Sequence, residues 1–358
     1  MTKFKALVPQ IGFLGQMIRV PNVPAMTTIS RRLVHKQQES DESHCIEKRE
    51  VQEVRIPVPY GEIAGKWWGP KDVRPIVSLH GWQDNAGTFD RLIPLLPHHM
   101  SFLALDFPGH GLSSRIPDGM TYHTLDSVYL MKLIMKEYQW KKISFMAHSM
   151  GSIVSFIFSS IFPDKVDFNI GLDALKPHIS DPAKLGSRLE KRIPQMLVAD
   201  FRNRAKTEPP SYTYEDLVNR LYIGTTKSVT KEAAPYLLNR NIQKSSMHPD
   251  KYYFTRDSRL KYSVGVGWGQ DVNLELAKRM TMPYLFLKAL KSSYYEDKKY
   301  FDEFVELVKK TNPLFELEFV DSTHHMHLTE PEKLAPIISN FLCKHWKRDV
   351  DGRKEHDN

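Results

Sequence analysis

Ala147-His148-Ser149-Met150-Gly151 sets a serine between two small residues, each two positions away. A hydroxyl lifted on a sharp strand-to-helix turn needs such neighbours, because strand and helix pass close to each other there. The pattern departs from G-x-S-x-G only at Ala147, which is still small. The chemistry this implies is nucleophilic attack by Ser149 on an acyl carbon. A helix starting at the serine directs its first N–H groups at the reacting centre, where they favour negative charge.

A tetrahedral intermediate needs a second donor, and His80-Gly81-Trp82 offers one after the apolar stretch Pro75 to Leu79. Gly81 permits a sharp turn that leaves the Trp82 N–H to join that of Met150 in an oxyanion hole. The serine also needs a base, and three histidines compete in Thr323-His324-His325-Met326-His327. For the acid that orients the base, Asp173 ends the apolar run Ile170-Gly171-Leu172. A carboxylate there is costly to bury unless it has a partner, and an imidazole N–H is one.

These residues need a scaffold, and the chain supplies alternating strand-like and helix-like segments from Val51 onward, the signature of crossovers around a mostly parallel sheet. The expected organisation is a basic leader over residues 1–50, a first core part over 51–177, a helical cap over 178–272, a second core part over 273–348 and a charged tail over 349–358. The cap is read from a change to charged, amphipathic helical patterning. Its Met196, Tyr222, Tyr236 and Phe254 suit an apolar acyl chain.

With Asp106-Phe107-Pro108-Gly109-His110-Gly111-Leu112-Ser113 added, the order of motifs resembles the α/β-hydrolase family, whose members commonly carry D-x-P-G-x-G-x-S at this place. The resemblance covers roughly Val51 to Lys347 and implies the α/β-hydrolase fold, a mostly parallel central sheet flanked by helices with an inserted helical cap. It gives the Asp106 loop a structural role, so His110 and Ser113 are assigned no catalytic one. It also implies a base seven residues before Pro331, which selects His324 over His327 and His325. For the acid, the usual place after the strand Pro283 to Lys288 holds Ser292. Some subfamilies place it after the strand that follows the nucleophile helix, which favours Asp173 over Asp297 and Glu296. Leu79 to Phe89, Thr323 to Leu328 and Tyr253 to Leu260 look like the serine hydrolase-like proteins, the kraken group. Arg256, Asp257 and Arg259 in the last block could hold an anionic substrate group, but an Arg–Asp pair locking cap to core is the expectation.

The function expected is a serine hydrolase acting on a carboxylic ester or thioester of a small or lipid-like substrate through an acyl-enzyme. The alternatives are acyl transfer by the same triad, or a catalytically inactive binding protein with this fold. Serine at position 149 argues against dehalogenase and epoxide hydrolase chemistry, which need aspartate there. No metal or organic cofactor is required, and the Cys and His residues show no zinc-site spacing.

The 358 residues carry a formal charge of +8, with 41% hydrophobic and 26% charged residues, averages for a soluble globular chain. The basic residues are scattered among acids and match no nucleic-acid module, so nucleic acid is not an expected partner. Cys45 and Cys343 make a poor staple for a chain this size, which favours a reducing compartment. No apolar run approaches the ~20 residues of a membrane span. Residues 1–38 are basic and acid-free, which is transit-like and points to mitochondria, with the cytoplasm as alternative. The family resemblance adds the peroxisome, yet the ending His356-Asp357-Asn358 is not a Ser-Lys-Leu signal.

Overall fold

The structure, a computed structural model, describes residues 49–262 and 268–348. The leader up to residue 48, with Cys45, and the tail from residue 349 lie outside the described residues.

Strands β1 (Val51–Val58) and β2 (Gly61–Trp68) form a hairpin, with Gly61 at φ 139° in the turn. Then come β3 (Ile76–Leu79), β4 (Phe102–Leu105), α1 (Thr124–Glu137), β5 (Ile143–His148), α2 (Met150–Ile161) and β6 (Val166–Leu172). The next segment holds α3 (Leu185–Arg204), α4 (Tyr214–Gly224), α5 (Ala234–Leu238), a small hairpin of β7 (Ile242–Lys244) and β8 (Tyr252–Phe254), and α6 (Gln270–Ala277). It is therefore not wholly helical as its patterning suggests, because Tyr252 and Phe254 pair across the hairpin with Lys244 and Ile242. The chain closes with β9 (Tyr284–Ala289), α7 (Lys298–Thr311), β10 (Phe315–Val320), α8 (Met326–Thr329) and α9 (Pro331–His345).

Eight strands form one sheet in the order β1-β2-β4-β3-β5-β6-β9-β10. β1 and β2 run antiparallel, as do β2 and β4, and every later pairing is parallel. β3, β4, β5 and β9 are buried at every position, as strands covered on both faces must be. Alternate residues feed two cores, since side chains alternate across a sheet. Phe145, Tyr284 and Phe286 pack with Phe156 of α2 and Phe304 of α7, whereas Met146, Leu285 and Leu287 pack with Ile338 and Phe341 of α9.

From β3 the chain steps to β4 on one side and returns to β5 on the other. The carboxyl ends of β3 and β5 thus flank a topological switch point, where open α/β sheets bind ligands. His80 and Ser149 follow those two ends. No helix among the described residues is long and apolar enough to cross a membrane.

Candidate active site

Ser149 stands between β5 and α2 with φ 51° and ψ −118°, a backbone conformation that non-glycine residues rarely adopt. The strain is held by Ser149 N–H donating to the Leu172 carbonyl at 2.9 Å and Gly151 N–H donating to the His80 carbonyl at 3.1 Å. A Cβ on Gly151 would overlap the Leu79 carbonyl, which is the physical demand behind the second small residue of the motif. The helix begins at Met150, one residue later than the sequence suggests.

Ser149 Oγ lies 2.9 Å from His324 Nε2, and His324 Nδ1 lies 2.6 Å from Asp173 Oδ2. A carboxylate only accepts, so Nδ1 carries the proton and Nε2 is left to accept from the serine hydroxyl. Asp173 follows β6, has φ 55° and is buried. Its Oδ1 accepts from the Ala289 N–H at 2.9 Å and from Lys288 Nζ at 2.6 Å. Burial works to raise the Asp173 pKa, but the hydrogen bond and charge of His324 and the Lys288 ammonium outweigh it and hold the carboxyl below its ordinary value. Lys288 belongs to none of the sequence motifs that mark the site. A lysine inside an apolar strand, in Leu285-Phe286-Leu287-Lys288-Ala289, is the signal that marks it, since an unpaired buried ammonium is costly.

The other acids lie elsewhere. Glu296 accepts from Lys176 Nζ at 2.6 Å and from the Ile179 N–H at 2.8 Å, and exposed Asp297 caps α7 through the Lys299 N–H at 3.1 Å. The other histidines of the loop face different partners too. His325 Nδ1 meets Ser228 Oγ at 2.7 Å and His327 Nε2 meets Thr88 Oγ1 at 2.8 Å. His148, beside the serine, donates from Nε2 to the His324 carbonyl at 3.0 Å. Burial pushes His148 down to about 3, so its imidazole is neutral.

Trp82 follows Gly81 in a turn closed by Asp84 N–H donating to the Gly81 carbonyl at 3.2 Å, with Gln83 at φ 62°. Met150 N–H is the first of its helix and has no acceptor one turn back. Trp82 and Met150 both line a cavity of ≈460 Å³, walled also by Phe107, Ile116, Met120 and Leu260. Met196, Tyr222, Tyr236 and Phe254 do not line it. Composition marked them as apolar but not where they point. Phe254 lies beneath the Arg256 guanidinium at 4.1 Å, and Tyr222 faces the ammonium groups of Lys227 and Lys231.

The Asp106 loop is a knot of internal bonds. Asp106 accepts from the Ala86 and Leu112 N–H groups and from Arg240 Nη2, while Ser113 Oγ donates to the Asp106 carbonyl. His110 Nε2 accepts from the Gln83 N–H at 3.2 Å, tying this loop to the Trp82 turn. Asp257 and Arg259 pair at 2.7 Å, and Arg259 also donates to the carbonyls of Ile116, Pro117 and Met120. These bonds join the segment after β6 to the cavity wall.

Residues 74–331 match the alpha/beta hydrolase fold family. A "Probable serine hydrolase" of Drosophila melanogaster is 32% identical over 81% of this chain and 87% of its own. A "Serine hydrolase-like protein" of Danio rerio is 32% identical over 82% of this chain and 89% of its own. Among solved structures, a hypothetical protein of Pseudomonas aeruginosa PAO1 superposes with a TM-score of 0.68 at 27% identity, covering 82% of this chain and 98% of that one. The chain belongs to the α/β-hydrolase family, in the group of serine hydrolase-like proteins.

Proposed function

We propose that this protein is a serine hydrolase that cleaves a carboxylic ester or thioester through an acyl-enzyme, with Ser149 as nucleophile, His324 as general base and Asp173 as the acid that orients it. The observation that carries the reading is the unbroken chain from Ser149 Oγ through His324 to Asp173, with steps of 2.9 and 2.6 Å. Ser149 Oγ attacks the acyl carbon as its proton passes to His324 Nε2. Asp173 holds the tautomer and stabilises the imidazolium, and Lys288 keeps Asp173 ionised. The carbonyl oxygen gains negative charge, which the N–H groups of Trp82 and Met150 receive. His324 then returns the proton to the leaving alcohol or thiol, and water repeats the cycle on the acyl-enzyme.

The segment after β6 acts as the cap of this reading, and the cavity beside Trp82 and Met150 takes the acyl chain. Its walls are mainly apolar, which favours acyl groups without charge. The test is labelling by an active-site-directed fluorophosphonate beside Ser149→Ala, with p-nitrophenyl ester turnover in parallel. Labelling and turnover should vanish together in the variant. A folded wild type that neither labels nor turns over ester would leave a binding protein with this fold.

A further inference from the structure

Beside the Ser149–His324 pair, with the His148 ring 4.7 Å from that of His324, three buried side chains converge from three different places in the fold. Asp84 comes from the turn after β3, His148 from the end of β5 and His325 from the loop after β10. Asp84 Oδ2 lies 3.6 Å from His148 Nδ1 and 3.3 Å from His325 Nε2, and the three atoms all lie within 4.8 Å of one another. All three side chains are more than nine-tenths buried, and among the described residues neither Asp84 Oδ2 nor His148 Nδ1 has a hydrogen-bond partner.

Hydrogen-bond arithmetic makes the three facing atoms acceptors. His148 Nε2 faces the His324 carbonyl, which only accepts, so that nitrogen carries the proton of the neutral ring and Nδ1 is a bare lone pair. Ser228 Oγ spends its proton on the Thr225 carbonyl at 2.7 Å, so it accepts from His325 Nδ1–H, and His325 Nε2 is bare as well. Asp84 supplies an anion. With both rings neutral, two lone pairs face a carboxylate in a buried space, an arrangement that a shared proton or a bound metal ion relieves.

We propose that Asp84, His148 and His325 form a binding site for one divalent transition-metal ion of the zinc class. Two imidazoles and a carboxylate are the donor set such an ion prefers, with a fourth position left open. A tetrahedral ion with bonds of about 2.0–2.1 Å separates its ligand atoms by about 3.3 Å, close to the spacings found here. The outer partners are in place too, since each histidine donates its second N–H to a protein oxygen, which fixes ring and tautomer. Gly81 keeps the space open, for a Cβ there would stand 2.9 Å from His148 Nδ1 and 3.0 Å from Asp84 Oδ2. The His327 ring lies tilted beside that of His148, with centroids 4.1 Å apart, and its buried Nδ1 has no hydrogen-bond partner among the described residues. The ion would join the turn carrying Trp82, the elbow carrying Ser149 and the loop carrying His324. Linear spacing hides the set, because its members are scattered over more than two hundred residues.

The site is tested on the full chain after chelator treatment and dialysis, by adding Co(II) or Zn(II) and waiting until the signal is constant. The expected results are the visible d–d absorption of tetrahedral Co(II), one zinc retained per chain by elemental analysis, and a raised Tm with zinc. Asp84→Asn and His325→Gln should each weaken retention by more than the about 10–100-fold that loss of an outer partner costs. Gly81→Ala, which keeps all three ligands, should weaken it by filling the space, and exposed His248→Gln should bind as the wild type does. A wild type that retains no ion, or retention equal in wild type and Asp84→Asn, overturns the site. Ester turnover is read on the same samples. Retention without turnover keeps the site and removes the hydrolase reading, and turnover without retention does the reverse.

Discussion

Lys288 Nζ lies 2.6 Å from Asp173 Oδ1, while the other oxygen of the same carboxylate takes the His324 N–H at 2.6 Å. The acid is thus held by a cation on one side and an imidazole on the other, with the Ala289 N–H as a third donor. A buried carboxylate so surrounded stays ionised and keeps its orientation.

Asp173→Asn should lower ester turnover by about 10⁴, the order seen when a triad acid loses its charge and the imidazole turns to the wrong tautomer. Asp297→Asn should leave turnover unchanged, because that exposed side chain caps α7 and pairs with Lys299, away from His324. Steady-state kinetics of both variants check this, and the reverse ranking would move the acid to the later loop.

Lys288→Met should destabilise the fold by about 3–5 kcal/mol, as removal of one partner from a buried pair does. The lysine also donates to the Ala289 and Ser292 carbonyls, so the loop after β9 loses its anchor as well. Urea unfolding measures the loss, and a variant as stable as the wild type would show that the pair contributes nothing.

Asp257 provides a pH-dependent lock. Burial works to raise its pKa, but Arg259 and Tyr122 outweigh burial and hold it below its ordinary value. A carboxyl depressed in the folded state contributes stability above its unfolded pKa of about 3.9, and the contribution is lost as pH falls through the lower folded value. Asp257→Asn should therefore be less stable than the wild type by about 3–5 kcal/mol at pH 7. The gap should narrow below about pH 4. Thermal unfolding of both proteins across that range reads it, and a gap independent of pH would exclude an ionic lock.

Gly151→Ala should cost about 1–3 kcal/mol by overpacking, because the new methyl meets the Leu79 carbonyl rather than a flexible side chain. Turnover should fall with it, since Ser149 and the Met150 N–H move together with the start of α2. A Tm equal to that of the wild type would mean that the elbow has room.

For the cavity, kcat/KM of p-nitrophenyl esters should rise about fourfold per added methylene until the chain fills the space, following about 0.8 kcal/mol per buried CH₂. Ile116→Trp should move the plateau to shorter chains, because Ile116 is part of the wall. A profile flat in chain length would remove the cavity as the acyl site.

The sequence alone determined the elements that local chemistry dictates. Small residues around Ser149, a glycine before Trp82 and largely apolar strands each answer a demand that acts within a few residues, and the order of these motifs made the hydrolase architecture readable through its resemblance to the α/β-hydrolase family. Which of several acids and histidines meet was decided only by the tertiary structure. Parallel pairing of β5 with β6 and of β6 with β9 brings Asp173 and Lys288 together across 115 positions, while Glu296 is taken by Lys176 and Asp297 by a helix end. The cavity wall and the Asp84, His148 and His325 cluster have the same origin. Contacts between distant segments depend on sheet order and register, which no local spacing records.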